Sequence, residues 1–549
     1  MTERGIRRLR WAGFSLLIVV ALAARLIPGA RTIDDAFITF RYARNIVEGQ
    51  GFVYNPGVAT LGTTTPLFTL MLSAASGVSG SRDFPQIAIL FSAAADALTV
   101  VLLAIITRRV LAGRRDEPAY TVGRPYEEIV ALLPGLLWAV SPMSVTFAVG
   151  GMETSVATLW MVAAVAAYVT RPGRGDPARG RYDAAVGVFA ALGLLTRADA
   201  VLWVGPLLGW QVVEWLAGRR KSDGPPLPLW TWIALAAVLL PWAVYATAAF
   251  GSPIPNSVTA KRFAYLIPDG SALIRMIQTY STPFFEFDTF GSLGAMIGSL
   301  VYLLLSFVAL SLTARRLPRL IPWLLYPWLY LAVFSALNPL IFRWYMAPPL
   351  PALMVGIVVG LWGMTRALRS RLVSAVVMTA AGALWLVMSI NGWTLHPDHG
   401  PDRPAPRMAF HALELEYEAM GNTLRNELGV TLETRVASGD IGAVGYFSRA
   451  TIVDTVGLVT PELTRYYPVD PAIVAADQNY AIPPALVADT QPEYLVTMEG
   501  FVREGLAREP WFQETYRLIR ERPFPFYGTA MQLYQRLPET PSGSGEGSG

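Results

Sequence analysis

Residues 32–56 read TIDDAFITFRYARNIVEGQGFVYNP. The stretch follows directly on an apolar run, Trp11 to Ile27, yet it opens on adjacent carboxylates, Asp34 and Asp35. A basic-aromatic segment comes next (Phe37, Phe40, Arg41, Tyr42, Arg44), then two turn glycines, Gly49 and Gly51. Ionised carboxylates beside a hydrocarbon phase are costly and persist where function needs them.

The chain around this loop is membrane-like. Its 549 residues are 53% hydrophobic and 15% charged, whereas soluble domains carry about 25% charged residues. Mean hydropathy is +0.41. Cysteine is absent, which excludes disulfides, thiolate metal sites and a cysteine nucleophile. The three histidines, His396, His399 and His411, follow the last apolar segment, which argues against a histidine-ligated metal among the spans. Basic residues sit in short loops between apolar runs, and nothing in that pattern suggests nucleic-acid binding.

Charge placement gives a topology. Arg4, Arg7, Arg8 and Arg10 precede the first apolar run, and basic clusters recur around Arg108, Arg171, Arg219, Arg315 and Arg366. If each cluster faces the cytoplasm, the spans between clusters come in pairs. That predicts about eleven transmembrane helices: the first run, then 86–107, 128–148, 154–170, 184–196, 200–217, 229–250, 291–312, 321–338, 345–365 and 372–390. The N-terminus is then cytoplasmic and the C-terminus outside. Pro66–Gly80 is apolar but shorter than the ~20 residues of a span; we read it as a juxtamembrane helix within outer loop 28–83. The transmembrane region is 1–393 and a Pro-, Asp- and His-rich linker is 394–407. Residues 408–537 form a soluble extracytoplasmic α/β domain, with a helix over 410–428 and strands near 435–438, 451–456, 494–497 and 530–534. The tail, 538–549, is low-complexity sequence.

This topology collects the unusual polar residues on one face: Asp34 and Asp35, Glu153 in GGMETS, Arg197 and Asp199 in LTRADA, Asn256, Lys261 and Arg262 in PNSVTAKR, and Arg343 and Tyr345 in NPLIFRWY. Each has a plainer reading. The aspartates suit a helix N-cap, Glu153 a helix start, and Arg197/Asp199 a hairpin-tip ion pair. Lys261 and Arg262 suit lipid headgroups, and Arg343 snorkelling. Together they suggest a site at the outer membrane boundary.

DDAFITFRYARNIVEGQGFVYNPG resembles the first outer loop of GT-C glycosyltransferases that use polyprenyl-phosphate sugars. It is most similar to the bacterial group that includes the mycobacterial terminal arabinofuranosyltransferases. GGMETS, LTRADA, PNSVTAK and GDIGAVGYFSRATIVDTVGLVTPEL (439–463) resemble the same group. Two departures leave sugar and acceptor open. Leu61–Pro66 stands where relatives often have a Gly-Tyr-Thr turn, and LTRADA replaces an LTRP-type turn. The resemblance implies a GT-C-like membrane transferase with its site on the extracytoplasmic side of the plasma membrane. A polyprenyl-phosphate sugar is the implied donor, a cell-envelope glycan the acceptor and the bilayer a partner. A first-loop carboxylate is the implied catalytic base.

The chemistry assigns roles. Asp34 or Asp35 takes the acceptor proton. Arg41, Arg44, Arg197, Lys261, Arg262 and Arg343 are candidates to neutralise the leaving phosphate. Tyr42, Tyr54, Glu153, Asn256 and Tyr345 are candidates for the sugar. One base and direct displacement imply inversion; retention would need a second carboxylate, with Glu153 available. No cofactor is required, because a lipid monophosphate suits arginine and lysine. Asp34, Asp35 and Glu153 are hard oxygen ligands that would admit a divalent cation. A monomer is expected. A lipid-sugar transporter would show charged spans and repeated halves; only Asp96 stands out as a charge within a span. Mannosyl or aminoarabinosyl transfer to lipid or protein, and a binding protein with an idle loop, remain as rivals.

Overall fold

The apolar runs of the sequence become the long helices of the protein. The computed structural model describes residues 2–112, 124–173, 175–218, 226–283, 287–368, 370–397, 399–407, 412–523 and 530–538. Several basic-cluster residues (Arg114, Arg115, Arg174, Arg219, Arg220, Lys221, Arg369), His411 and residues 539–549 lie outside the described set.

The chain divides into two compact units. The helical unit comprises 1–47, 64–253 and 267–411; the mixed unit comprises 48–63, 254–266 and 412–549. These units are divided differently from the sequence-based domains. The segments 48–63 and 254–266 group with the C-terminal residues. The expected linker 394–407 belongs to the helical unit, because its ends pair as two short strands and its carbonyls are taken up by that unit.

The helical unit begins with α1 (Glu3–Leu26), α2 (Asp34–Val47), α3 (Pro66–Ser79), α4 (Phe84–Ala112), α5 (Arg124–Val140), α6 (Pro142–Val149), α7 (Thr154–Thr170), α8 (Arg179–Thr196), α9 (Val201–Gly218) and α10 (Leu229–Phe250). After α11 (Asn256–Ala264), which is in the mixed unit, come α12 (Ser271–Ser281), α13 (Phe287–Arg316), α14 (Ile321–Leu337), α15 (Leu350–Ala367) and α16 (Arg371–Asn391). Strands β1 (Trp393–Thr394) and β2 (Ala405–Pro406) pair antiparallel after α16.

Among the described residues, eight helices are long and apolar enough to cross a membrane, or nine if the bent α5–α6 pair is one span. This is a multi-pass membrane protein. Every span expected from the sequence is helical. The difference from eleven lies in α5–α6, bent by 47°, in α7 with its 17 residues, and in α8, whose first turns carry Arg179, Arg181 and Asp183. α3, the expected juxtamembrane helix, has 14 residues and so extends ~21 Å, short of a ~30 Å hydrocarbon core. Close crossings use small residues, as membrane helices do. A Cβ on Gly187 of α8 would come within 2.1 Å of the Thr231 carbonyl oxygen on α10.

The mixed unit contains α17 (Ala412–Asn426), β3 (Arg435–Ser438), α18 (Gly442–Ser448), β4 (Thr451–Asp454), α19 (Pro484–Thr490), β5 (Tyr494–Met498), α20 (Pro510–Thr515), β6 (Tyr516–Pro523) and β7 (Ala530–Arg536). Its sheet has the order β4-β3-β5-β7-β6. β3 is parallel to β4 and β5, and β7 is antiparallel to β5 and β6. The expected strands are present; β6 is additional.

Candidate functional site

α2 places the two aspartates in its first turn, where the positive end of the helix dipole favours negative charge. Both are half-buried, whereas every residue from Ala36 to Asn45 is buried. The cover includes α3, through Ser73 Oγ donating to the Ala43 carbonyl (3.4 Å) and the Thr39–Thr65 hydroxyl pair (3.1 Å). Phe40 also stacks on Phe84 of α4 (6.3 Å). Helical spacing puts Asp34, Arg41 and Asn45 on one face and Asp35, Thr39 and Tyr42 on the adjacent one. Arg41 and Tyr42 are almost wholly buried.

The residues leading into α2 are tied to the end of α6. Arg31 N–H donates to the Val149 carbonyl (2.9 Å), and Ile33 N–H to that of Gly150 (3.0 Å). Gly151 has φ +77°, and a Cβ there would meet the Phe40 ring at 2.8 Å, so the GGMET turn lies directly on α2. This fixes Glu153, at the start of α7, close in the fold to the aspartate-bearing turn. The Arg31 guanidinium donates to the carbonyls of His399 (3.1 Å), Pro401 and Arg403 (3.2 Å).

Glu153 is 4% exposed and is met by an arginine. Arg197 Nη1 donates to Glu153 Oε1 (2.7 Å), while its Nε and Nη2 grip both oxygens of Asp199 at 2.9 Å. Tyr330 of α14 donates to Asp199 Oδ2 (2.9 Å), and the Tyr345 ring lies 5.3 Å beneath the guanidinium. One cation thus serves two carboxylates, Glu153 buried and Asp199 half-buried. Burial pushes the Glu153 carboxyl above its usual range, which Arg197 only partly offsets and Asp199 reinforces. Burial opposes the Arg197 charge, but Asp199 and Glu153 outweigh it and hold the guanidinium firmly protonated. Around Tyr345 stand Phe334, Phe342 and Trp344, a wall of aromatic rings. Arg343 shares the short 3-10 turn Arg343–Met346 with Tyr345.

The structure therefore brings together Glu153, Arg197 and Tyr345 and attaches the Glu153 turn to α2. Four expected site residues belong to the mixed unit. Tyr54 is buried and donates to the Ile441 carbonyl (2.5 Å), and Asn256 donates to the Gly457 carbonyl (2.6 Å). Both bonds stitch that unit internally. Lys261 and Arg262 occupy the last turn of α11, with Arg262 exposed. Asp454 is a strand-end cap, accepting from the N–H of Val456 (2.9 Å) and Val459 (2.8 Å). Burial raises its carboxyl to about 6. Among the described residues, no three His, Asp or Glu side chains gather as a metal-holding group.

Sequence reading missed Tyr330, Arg25 and Arg31. Arg25 had a signal, as a charge in the last turn of an apolar helix. Tyr330 had none, since its span is aromatic throughout.

A family model described as Domain of unknown function (DUF8728) matches residues 408–535. The terminal beta-(1->2)-arabinofuranosyltransferase of Mycobacterium tuberculosis is 25% identical over 238 residues, which are 42% of this chain and 34% of that protein. The match thus spans about a third of that relative. Among solved structures, ArnT from Cupriavidus metallidurans bound to undecaprenyl phosphate superposes with a TM-score of 0.55 at 13% identity, covering 97% of this chain and 98% of that one. The archaeal oligosaccharyltransferase AglB from Archaeoglobus fulgidus, in complex with an inhibitory peptide and a dolichol-phosphate, gives a TM-score of 0.55 at 12% identity over 97% and 75%. The fold is that of the GT-C membrane proteins, as expected from the sequence.

Proposed function

We propose that this chain is an integral-membrane glycosyltransferase. It moves a sugar, a pentofuranose such as arabinofuranose, from a polyprenyl-phosphate donor to a cell-envelope glycan on the extracytoplasmic face. The observation that carries the reading is the attachment of the Asp34/Asp35 turn to the Glu153–Arg197 turn. It gathers acids, a guanidinium and aromatic rings at one end of the membrane helices. The polyprenyl phosphates held by the ArnT and AglB structures, and the activity of the mycobacterial relative, support the donor class and the sugar.

In this mechanism Asp34 or Asp35 removes the acceptor proton as the hydroxyl attacks the anomeric carbon. Arg41, Arg44 and Arg343, all in the helical unit, are the cations we assign to the leaving lipid phosphate. Arg197 is committed to Glu153 and Asp199, so we assign it to holding Glu153 rather than to the phosphate. Glu153, Tyr42 and Tyr345 remain for the sugar. Direct displacement with one base inverts the anomeric centre. No resident cofactor is needed, and the chain acts as a monomer.

Asp34→Asn and Asp35→Asn, assayed separately with a radiolabelled polyprenyl-phosphate pentofuranose, test the base. One of them should lower transfer by about 10²–10⁴-fold, the range of general-base catalysis, with folding intact. Full transfer by both variants would refute the assignment. The orientation has its own test, since the chain has no native cysteine. A cysteine at Asp269, which precedes α12, should react with an impermeant maleimide from outside the cell; labelling only from the cytoplasmic side reverses the topology.

A further inference from the structure

Arg25 and Asp96 form an ion pair with no exposed surface on either side chain. Arg25 Nε donates to Asp96 Oδ2 (2.9 Å), and the rest of its guanidinium reaches the carbonyls of Trp138 (3.5 Å) and Ala139 and the Ser144 hydroxyl. Asp96 accepts from Trp138 Nε1 (2.8 Å) and from Ser155 Oγ (2.7 Å). The partners lie on α1, α4, α5, α6 and α7.

The bonds fall where the backbone needs them. Pro142 has no N–H, so the Trp138 carbonyl, four residues earlier, loses its helical partner. Arg25 supplies donors at that break, where α5 turns by 47° into α6. α6 then ends at Val149 and Gly150, whose carbonyls receive the N–H groups of Arg31 and Ile33, just before Asp34. From the other side, Asp96 holds Ser155, two residues beyond Glu153. One buried pair is thus bonded both to the helix break that leads to the Asp34 segment and to Ser155 beside Glu153.

Packing alone does not call for charges here. A buried ion pair is commonly replaceable by apolar residues without loss of stability, whereas removing one partner leaves an uncompensated charge. What apolar residues cannot supply is hydrogen bonds aimed at a broken helix end and at Ser155.

We infer that the Arg25–Asp96 pair is a positioning device that sets the Asp34/Asp35 turn and the Glu153 turn in register for transfer. Neither residue touches substrate. The catalytic part of this inference rests on the transferase reading above.

The test compares Arg25→Met, Asp96→Leu and the double variant as full-length protein in nanodiscs. Each single variant should melt well below the wild type, and the double should recover most of that loss. In the recovered double variant, amides at 31–36 and 149–157 should exchange hydrogen at least tenfold faster. Its kcat should fall at least tenfold, with the KM for a polyprenyl-phosphate sugar within twofold. A double variant that exchanges and turns over like the wild type would show that the pair is structural only and overturn the inference. Ser155→Ala keeps the ion pair and removes one tether, so it serves if the double variant does not fold. It should lower kcat severalfold and speed exchange at 152–157, and unchanged exchange and kcat refute the inference. If the wild type transfers no such sugar, the exchange arm still decides the positioning claim, and the transferase reading falls alone.

Discussion

Two arginine–carboxylate networks stand at opposite ends of the same helices. One is Arg197 with Glu153, Asp199 and Tyr330. The other centres on Arg171, which donates to Asp183 (2.8 Å) and Glu214 (2.7 Å). In it Arg319 and Tyr168 also donate to Glu214, at 3.1 and 2.8 Å, and Arg179 approaches Asp183 at 3.6 Å. Glu153 precedes α7 and Arg171 follows it, so the networks lie ~25 Å apart along that helix. α8, α9 and α14 likewise contribute to both or border both. The parts match and the balance does not. At the Arg171 end three guanidiniums meet two carboxylates; at the Arg197 end one guanidinium meets two. Stabilising the helix ends asks only for pairing. The cation excess at the Arg171 end is what a membrane face with basic loops carries, whereas the Arg197 end holds Glu153 beside the turn that bears Asp34 and Asp35.

The sharpest way to break this comparison is to remove the central cation from each network. Arg197→Met and Arg171→Met should both destabilise the protein by about 3–5 kcal/mol, the usual cost of stranding a buried charge. Measured below both melting temperatures, only Arg197→Met should lose transfer, by more than about 10²-fold, because it releases Glu153. Equal loss in both variants would mean that the two ends serve stability alike.

A buried carboxylate without any arginine gives the contrast. Asp454 is held by backbone N–H groups, and its carboxyl is raised from 3.8 to about 6 by burial. A raised value favours the protonated folded state. The stabilisation is therefore complete below about pH 4 and is lost as pH rises through 6. At ~1.4 kcal/mol per unit this amounts to about 3 kcal/mol. Hydrogen exchange at β3 and β4 should accelerate between pH 4 and 6.5 beyond the intrinsic chemical rate, and Asp454→Asn should abolish that slope. A slope that persists in the variant assigns the titration to another group.

The smallest effect is also the cleanest pairing. Tyr330→Phe and Tyr168→Phe each remove one hydroxyl bonded to a half-buried carboxylate, Asp199 and Glu214 respectively, at a cost of about 1 kcal/mol. Transfer should drop severalfold in Tyr330→Phe and stay at the wild-type level in Tyr168→Phe.

The helices were legible because each apolar run is long and bounded by charge. The strands of the mixed unit were legible where β-branched residues cluster, as in Thr451–Asp454. β6 was not, because its sequence, YRLIRERP, is charged like a solvent-facing edge, and edge strands use charge to deter pairing. The allotment of 48–63 and 254–266 to the mixed unit was also hidden. It depends on Asn55 bonding both backbone groups of Ile452, at 2.8 and 3.0 Å, and on the Asn256 side chain reaching Gly457. No local pattern announces such long-range bonds. For the candidate site, residue type and loop position marked Asp34, Glu153 and Arg197 as candidates, and the structure brings Glu153 and Arg197 into contact. Residue type and loop position did not show that Arg197 is spent on two acids, since that depends on the turn bringing Asp199 back onto its guanidinium. Asp96 read as an anomalous charge in a span until Arg25 supplied its partner.

The bonds from Arg31 to the carbonyls beyond α16 bear on how the molecule is made. Arg31 is separated from His399 by 368 residues. At about 5–20 residues per second of synthesis, roughly 20–70 s pass between the emergence of Arg31 and that of its partners. Throughout that interval the Arg31 guanidinium lacks these carbonyls and must be met by water, lipid headgroups or the insertion machinery. The first loop to be made is among the last parts of the helical unit to be finished, so a premature stop between residues 392 and 398 leaves every described membrane helix present and the Arg31 guanidinium without these carbonyls.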